Sequence, residues 1–229
     1  MSRQSIDKLR RMVKGGDDCP KNGPRRARRT ETAGRDDRDI RAVILDATRR
    51  LLGERRFDEI AVADILAAAE ISRGSFYFYF ESKQDVLAEL VRRAVGEGHV
   101  ASEPWLRHDE EDERYATVRH GISEGARLWR EQAPILRAIV ENWRSDPKLT
   151  ELWLEQMGGY TAATKDRIEQ DRTDGTVDPQ ALATALTWLG ERLYYLAAIG
   201  VPPFDDEEAL VDVLTHIWMS SLYPPDVTP

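Results

Sequence analysis

Two helical patterns separated only by Glu70 and Ile71 constrain this 229-residue chain more than any other feature. The first reads VADILAAAE, and its Val62, Ile65, Leu66 and Ala69 recur on one helix face. The second opens at Ser72, whose hydroxyl suits a helix cap by accepting a hydrogen bond from a free backbone N–H, and runs on as RGSFYFYF. So short a connection forces a sharp crossing, the geometry of a helix-turn-helix. The aromatics of FYFYF cannot all share one helical face. Phe76 and Phe80, four apart, are expected to pack inward together. Two other readings of this block stand beside it. One is an aromatic core block. The other is a β-strand, suggested by the alternation, although no hairpin partner is visible for it.

The flanking patterns are helical too. Ile40, Val43, Ile44, Ala47, Leu51 and Leu52 make one apolar face over residues 38–53. Phe57 and Ile60 continue that core, and Ser82 caps a further helix towards Val95. Helices follow over residues 110–129 and 133–142. Another starts at Asp146-Pro147, with proline suited to a first turn, and another at Asp178-Pro179. The last covers residues 207–222. The fold class is therefore all-α. An N-terminal three-helix DNA-binding domain spans 38–84 and a C-terminal helical domain spans 85–223. A basic, flexible arm (1–37) and a short tail (224–229) complete the chain.

The net charge of −8 argues against DNA binding only until its distribution is read. Residues 1–38 hold twelve Lys/Arg against six Asp/Glu, residues 39–91 hold seven against ten, and the rest holds fourteen against twenty-five. Local field, not total charge, steers association. The arm suits a phosphate or minor-groove contact, or else a solubilising tail. A single cysteine, Cys19, excludes an intrachain disulfide framework and fits a reducing cytoplasm. No apolar run reaches the ~18 residues of a membrane span, so no membrane partner is expected. The basic N-terminus has no apolar stretch behind it and does not read as a secretory signal.

No catalytic centre, metal site or cofactor is expected. The four histidines form no HExxH, and Ser75 lacks a G-x-S-x-G context. His108 amid DEEDE reads as an acidic solvated helix start rather than a ligand set. His120 suits ordinary packing or exposure better than acid–base work. The chemistry-bearing residues instead suit a DNA reader. Gly74 and Ser75 provide low bulk at the start of the reading helix. Ser72 and the first-turn N–H groups suit a phosphate. Arg73 can reach guanine or a phosphate. Tyr77 keeps a hydroxyl for phosphate or base, Tyr79 is placed for a phosphate, and Lys83 suits the DNA backbone on the far side.

Five of the six tryptophans lie between Trp105 and Trp188. Large aromatics line cavities in which a few polar groups orient a ligand. Trp129, Tyr160, Thr164, Thr187 and Glu191 are the candidate lining, against a plain core-packing alternative. The last helix carries Leu210, Leu214, Ile217 and Trp218 and is too apolar for a lone surface helix. Paired with residues 181–198, it suits the twofold interface of a homodimer.

The stretch AVADILAAAEISRGSFYFYFESKQDVLAEL resembles the N-terminal domain of TetR/AcrR regulators, over about residues 38–90. That resemblance implies that Arg73, Gly74, Ser75, Tyr77 and Tyr79 face DNA, with Lys83 on phosphate and Phe80 structural. It also implies a ligand-binding C-terminal domain whose last two long helices form a four-helix dimer interface. YTAAT, ALTWLGERLYYLAAIG and VDVLTHIWMSSLY are similar to a mycobacterial branch of the family. Thr187 and Gly190 stand where that branch carries two asparagines along an apolar tunnel. The resemblance implies a cytoplasmic repressor that binds palindromic double-stranded operator DNA and is released by a small, largely apolar effector. The same reading residues would also serve an activator, a regulator answering to a protein partner, or a ligand carrier with a vestigial reader.

Overall fold

Nine α-helices and two short 3₁₀ turns, with no strand, account for the regular structure of residues 27–101, 114–171 and 177–223, the part described by this computed structural model. The helices are α1 (Ala27–Glu54), α2 (Val62–Ala69), α3 (Arg73–Tyr79), α4 (Lys83–Ala101), α5 (Arg114–Glu131), α6 (Ala133–Asn142), α7 (Pro147–Asp171), α8 (Pro179–Ala198) and α9 (Glu207–Leu222). The 3₁₀ turns are Phe57–Glu59 and Trp143–Ser145. The chain divides into two compact units, Met1–Asp39 and Ile40–Pro229, and the second holds all the side chains described below. Cys19, Trp105, His108, most of the expected arm and the tail lie outside the described residues. Helix α1 begins at Ala27, well before the expected residue 38. Ala, Arg and Glu there are strong helix formers, and this propensity outweighs the lack of an apolar period.

Helix starts follow local chemistry. The Asp146 carboxylate accepts from the Lys148 and Leu149 amides at 2.9 and 3.3 Å, opening α7 behind Pro147. Asp178 accepts from Ala181 N at 2.8 Å, opening α8 behind Pro179. Asp206 accepts from Glu208 N at 3.0 Å and opens α9, whose first turn carries Glu207 and Glu208, the sign that a helix N-terminus favours.

The apolar residues form two clusters. One joins Ile44, Phe57, Ile65, Phe76 and Phe80 to Leu87 and Val91 of α4, Ile135 and Ile139 of α6, and Leu149 and Trp153 of α7. The three short N-terminal elements therefore share one core with the helices behind them. The second cluster joins α5, α8, α9 and the C-terminal part of α7 through Val118, Ile122, Ile168, Ala183, Leu186, Leu210 and Leu214. Arg119 and Arg130 of α5 pair with Asp212 and Glu207 along the edge of α9.

A close approach fixes the α5–α8 joint. The Tyr194 hydroxyl donates to Ile122 O at 3.0 Å, and its ring stacks on Trp129 with centroids 6.3 Å apart. A Cβ added at Gly125 would lie 2.6 Å from the Tyr194 oxygen, so any larger residue would force the Tyr194 ring to shift.

Candidate nucleic-acid interface and ligand-binding body

Helix α2 ends at Glu70, whose backbone takes the left-handed conformation (φ 54°, ψ 39°) and turns the chain within two residues. Ser72 then caps α3, its hydroxyl oxygen accepting from Ser75 N at 3.1 Å and lying 2.9 Å from the Ser75 hydroxyl. Phe76 and Phe80 are buried against each other with ring centroids 6.2 Å apart, the inward pair expected from their spacing. Their burial turns the opposite side of α3 outward. Ser72, Arg73, Gly74 and Tyr77 are exposed and Ser75 is half-buried. The Arg73 guanidinium lies 5.9 Å from the Tyr77 ring centre, so a cation and a hydroxyl-bearing ring share one rim. A Cβ at Gly74 would meet only Ser72 Oγ, at 3.7 Å, an ordinary contact. The fold itself therefore does not require glycine there.

Two expected DNA-facing residues are placed differently. Lys83 donates to the carbonyls of Phe57 at 2.8 Å and Ile60 at 2.6 Å, with Asp58 O at 3.5 Å, and its ammonium sits 4.6 Å from the Phe57 ring centre. The Phe57 carbonyl also accepts from Ile60 N at 3.3 Å, closing the 3₁₀ turn, so the lysine ammonium clamps that turn from its side chain while helping to satisfy the Ile60 carbonyl. Burial pushes its pKa down, with Asp58 and Asp64 opposing. Tyr79 is half-buried and lines a cleft with Arg41, Phe80, Glu89, Arg92 and Lys148 rather than standing on the exposed rim.

Sequence reading missed Phe78, at 76% the most exposed large apolar side chain among the described residues. The inward pairing of Phe76 and Phe80 was the available signal, because a residue midway between them must face the other way. Lys148 was also missed. It spans from α7 to Glu81 at 2.9 Å and Asp85 at 2.8 Å, at the exit of the helix-turn-helix. Nothing in its local sequence marks a contact 63 residues away.

In the body, Trp129, Thr164, Thr187 and Glu191 are buried and Tyr160 is half-buried. Trp153, Met157, Tyr160, Thr161, Thr164 and Ile168 recur on one stripe of α7, and α7 packs lengthwise on α8, which bears Thr187 and Glu191. The candidate lining residues thus come from three helices, with α5 and α7 each packed on α8. Burial pushes the Tyr160 hydroxyl up, and it pushes the Glu191 carboxyl up against the pull of Arg192.

The expected dimer face needs correcting. Leu210 is 2% exposed and Leu214 fully buried within the second core cluster, so neither offers area to a partner chain. Helix α9 is apolar on two sides, and these leucines serve the inner one. Ile217, Trp218 and Met219 are only half-buried, and Val213 is exposed.

Two family descriptions match the chain. "Bacterial regulatory proteins, tetR family" covers residues 44–90, and "Transcriptional regulator EthR, C-terminal domain" covers residues 118–224. The HTH-type transcriptional regulator EthR of Mycobacterium tuberculosis (strain H37Rv) is 32% identical over 202 residues, covering 86% of this chain and 93% of the relative. The chain is a member of the TetR family of transcriptional regulators. EthR of Mycolicibacterium smegmatis is 34% identical, with 86% and 92% covered. The same fold recurs in the fatty acid degradation regulator FadR of Bacillus halodurans (TM-score 0.63, 15% identity, 90% and 99% covered). It recurs too in a TetR-like regulator from Rhodococcus sp. RHA1 (TM-score 0.62, 20% identity, 81% and 97% covered).

As a TetR-family member the chain is a DNA-binding transcriptional regulator, not an enzyme. Among the described residues no group of three or more His, Cys, Asp or Glu could hold a metal, and no helix is long and apolar enough to cross a membrane.

Proposed function

We propose that this TetR-family regulator is a cytoplasmic homodimeric repressor that leaves a palindromic operator when a small, largely apolar effector enters its α5–α7–α8 body. The observation that carries the DNA half is the outward rim of α3. Phe76 and Phe80 anchor the helix, while Ser72, Arg73, Gly74 and Tyr77 stand free of the core. Ser75 and Tyr79 flank that rim, and Lys83 supports it by holding the turn before α2. Each subunit reads one half-site, and the two reading helices enter successive major grooves about 34–36 Å apart.

For the ligand half, Trp129, Tyr160, Thr164, Thr187 and Glu191 supply an aromatic and polar lining. Helix α4 is the transmitter, since it leaves the reader and packs on α5, α6 and α7. A ligand that swells the body moves α4 and changes the spacing of the two readers. It must bind the released state better than the DNA-bound state to do so. The dimer face consists of the outer side of α9 and its neighbour α8, with Ile217 and Trp218 central.

The test is selection of bound fragments from genomic DNA at a fixed salt concentration. A recovered palindrome, lost by Arg73→Ala while the dimer persists, supports the reading. Enrichment of no fragment by protein freed of bound small molecules sinks it.

A further inference from the structure

The interior of α8 holds polar atoms that the fold leaves without partners. Glu191 is 5% exposed and Thr187 is 8% exposed, yet neither carboxylate oxygen of Glu191 nor the hydroxyl of Thr187 has a hydrogen-bond partner among the described residues. The two are four residues apart and so share one side of the helix. The indole N–H of Trp153, on the facing stripe of α7, is likewise unpartnered. Among the described residues Arg192 is the one cation paired with Glu191. Its Nε lies 3.8 Å from the nearer oxygen, beyond hydrogen-bond range, and its own side chain is 54% exposed. Gly190, also buried, precedes Glu191 on the same helix.

A buried carboxylate with neither hydrogen bonds nor a close countercharge is strongly destabilised. Both oxygens of Glu191 lack donors beside a negative charge, while the Trp153 N–H lacks an acceptor. A ligand carbonyl or carboxylate brings acceptors only, which matches neither oxygen of Glu191. An ammonium brings three N–H donors and the opposite charge. We infer that Thr187 and Glu191 are the head-group site for an effector that pairs a protonated amine with an apolar body. This rests on the ligand-released reading above and specifies the effector's polar end. The apolar remainder of such a ligand would lie along Tyr160, Thr164 and Trp129. The upward push of burial on the Glu191 carboxyl agrees with a site that lacks its cation.

Three probes with one body test this: 4-phenylbutylamine, 4-phenylbutanol and 4-phenylbutanoate. Each is titrated calorimetrically into the full-length wild type, Glu191→Gln and Thr187→Val, with each variant's fold checked by circular dichroism. The amine should bind wild type at least tenfold more tightly than the alcohol, about 1.4 kcal/mol, and the carboxylate should bind least. That preference should vanish in Glu191→Gln and shrink in Thr187→Val. An amine that binds no better than the alcohol, a preference that survives Glu191→Gln, or no binding by any of the three overturns the inference. Operator binding by ligand-free protein is measured alongside. A protein that holds its operator but shows no amine preference loses only this inference. One that prefers the amine but ignores DNA loses only the repressor reading.

Discussion

Gly74 and Gly125 look alike in sequence but have opposite roles. At Gly125 the Tyr194 ring occupies the space a side chain would need. Gly125→Ala should therefore lower stability by about 1–3 kcal/mol, the usual range for overpacking, and thermal melting reads it directly. At Gly74 the fold leaves room for a methyl group. Gly74→Ala should melt as the wild type does but bind operator more weakly, because the added carbon projects from the reading rim. Equal operator affinity would remove Gly74 from the interface. Glu191 gives a third outcome. Its folded-state pKa is raised by burial, so the folded chain holds that proton more tightly than the unfolded chain. The associated stability is fully present below the ordinary carboxyl value of 4.5 and is lost as pH rises through the raised value. Glu191→Gln should then be more stable than wild type at pH 8, with the difference fading as the solution is acidified.

At the level of elements, the loop before α2 depends on one ammonium group from a distant helix. Lys83→Met keeps most of the side-chain volume but removes the ammonium from the Ile60 carbonyl and leaves the Phe57 carbonyl with Ile60 N alone. The expected loss is on the order of 2 kcal/mol, the scale of a charge-assisted hydrogen bond. Operator affinity should fall with it, because this loop leads into the helix that supports α3. The sequence supported much of this level. The cap at Ser72, the helix starts at Asp146-Pro147 and Asp178-Pro179, the inward Phe76–Phe80 pair and the ends of α6 and α9 were all legible, because each follows from chemistry within four residues. The place of Lys83 against the 57–60 turn and of Tyr79 in the α7 cleft was not legible, because both are set by tertiary packing. The early start of α1 was missed because periodicity registers a buried face, and a helix rich in Arg, Glu and Ala can form without one.

Across the molecule, a polar chain runs from the body towards the reader. The Tyr195 hydroxyl of α8 donates to Glu141 at 3.1 Å, and Glu141 in turn lies 3.9 Å from Arg56, beside the loop that Lys83 holds. Glu141→Gln keeps the shape but removes the charge that draws Arg56 in. Operator affinity should stay within about threefold of wild type, less than 1 kcal/mol, while the effector concentration needed for release changes. Unaltered release would take Glu141 out of the transmission route. Pairing of subunits should separate from their folding. Trp218→Glu should yield folded monomers by light scattering. Leu214→Ala should lower stability by about 2–5 kcal/mol, as a large-to-small core change does, without a specific effect on assembly. Sequence reading saw that α9 was too apolar for a lone surface helix, but a count of apolar residues could not divide the inner face from the outer one.

The shared core of the first cluster bears on how this regulator can be recombined with others. Because Phe76 and Phe80 pack in one body with residues of α4, α6 and the start of α7, the junction after residue 84 is a boundary of chain topology and not of packing. A graft that transplants only the three N-terminal elements onto a foreign sensor would expose half of an apolar interface on each side. The transferable module is larger: it must carry α4, α6 and the first two turns of α7 with the reader, or have those surfaces redesigned to match.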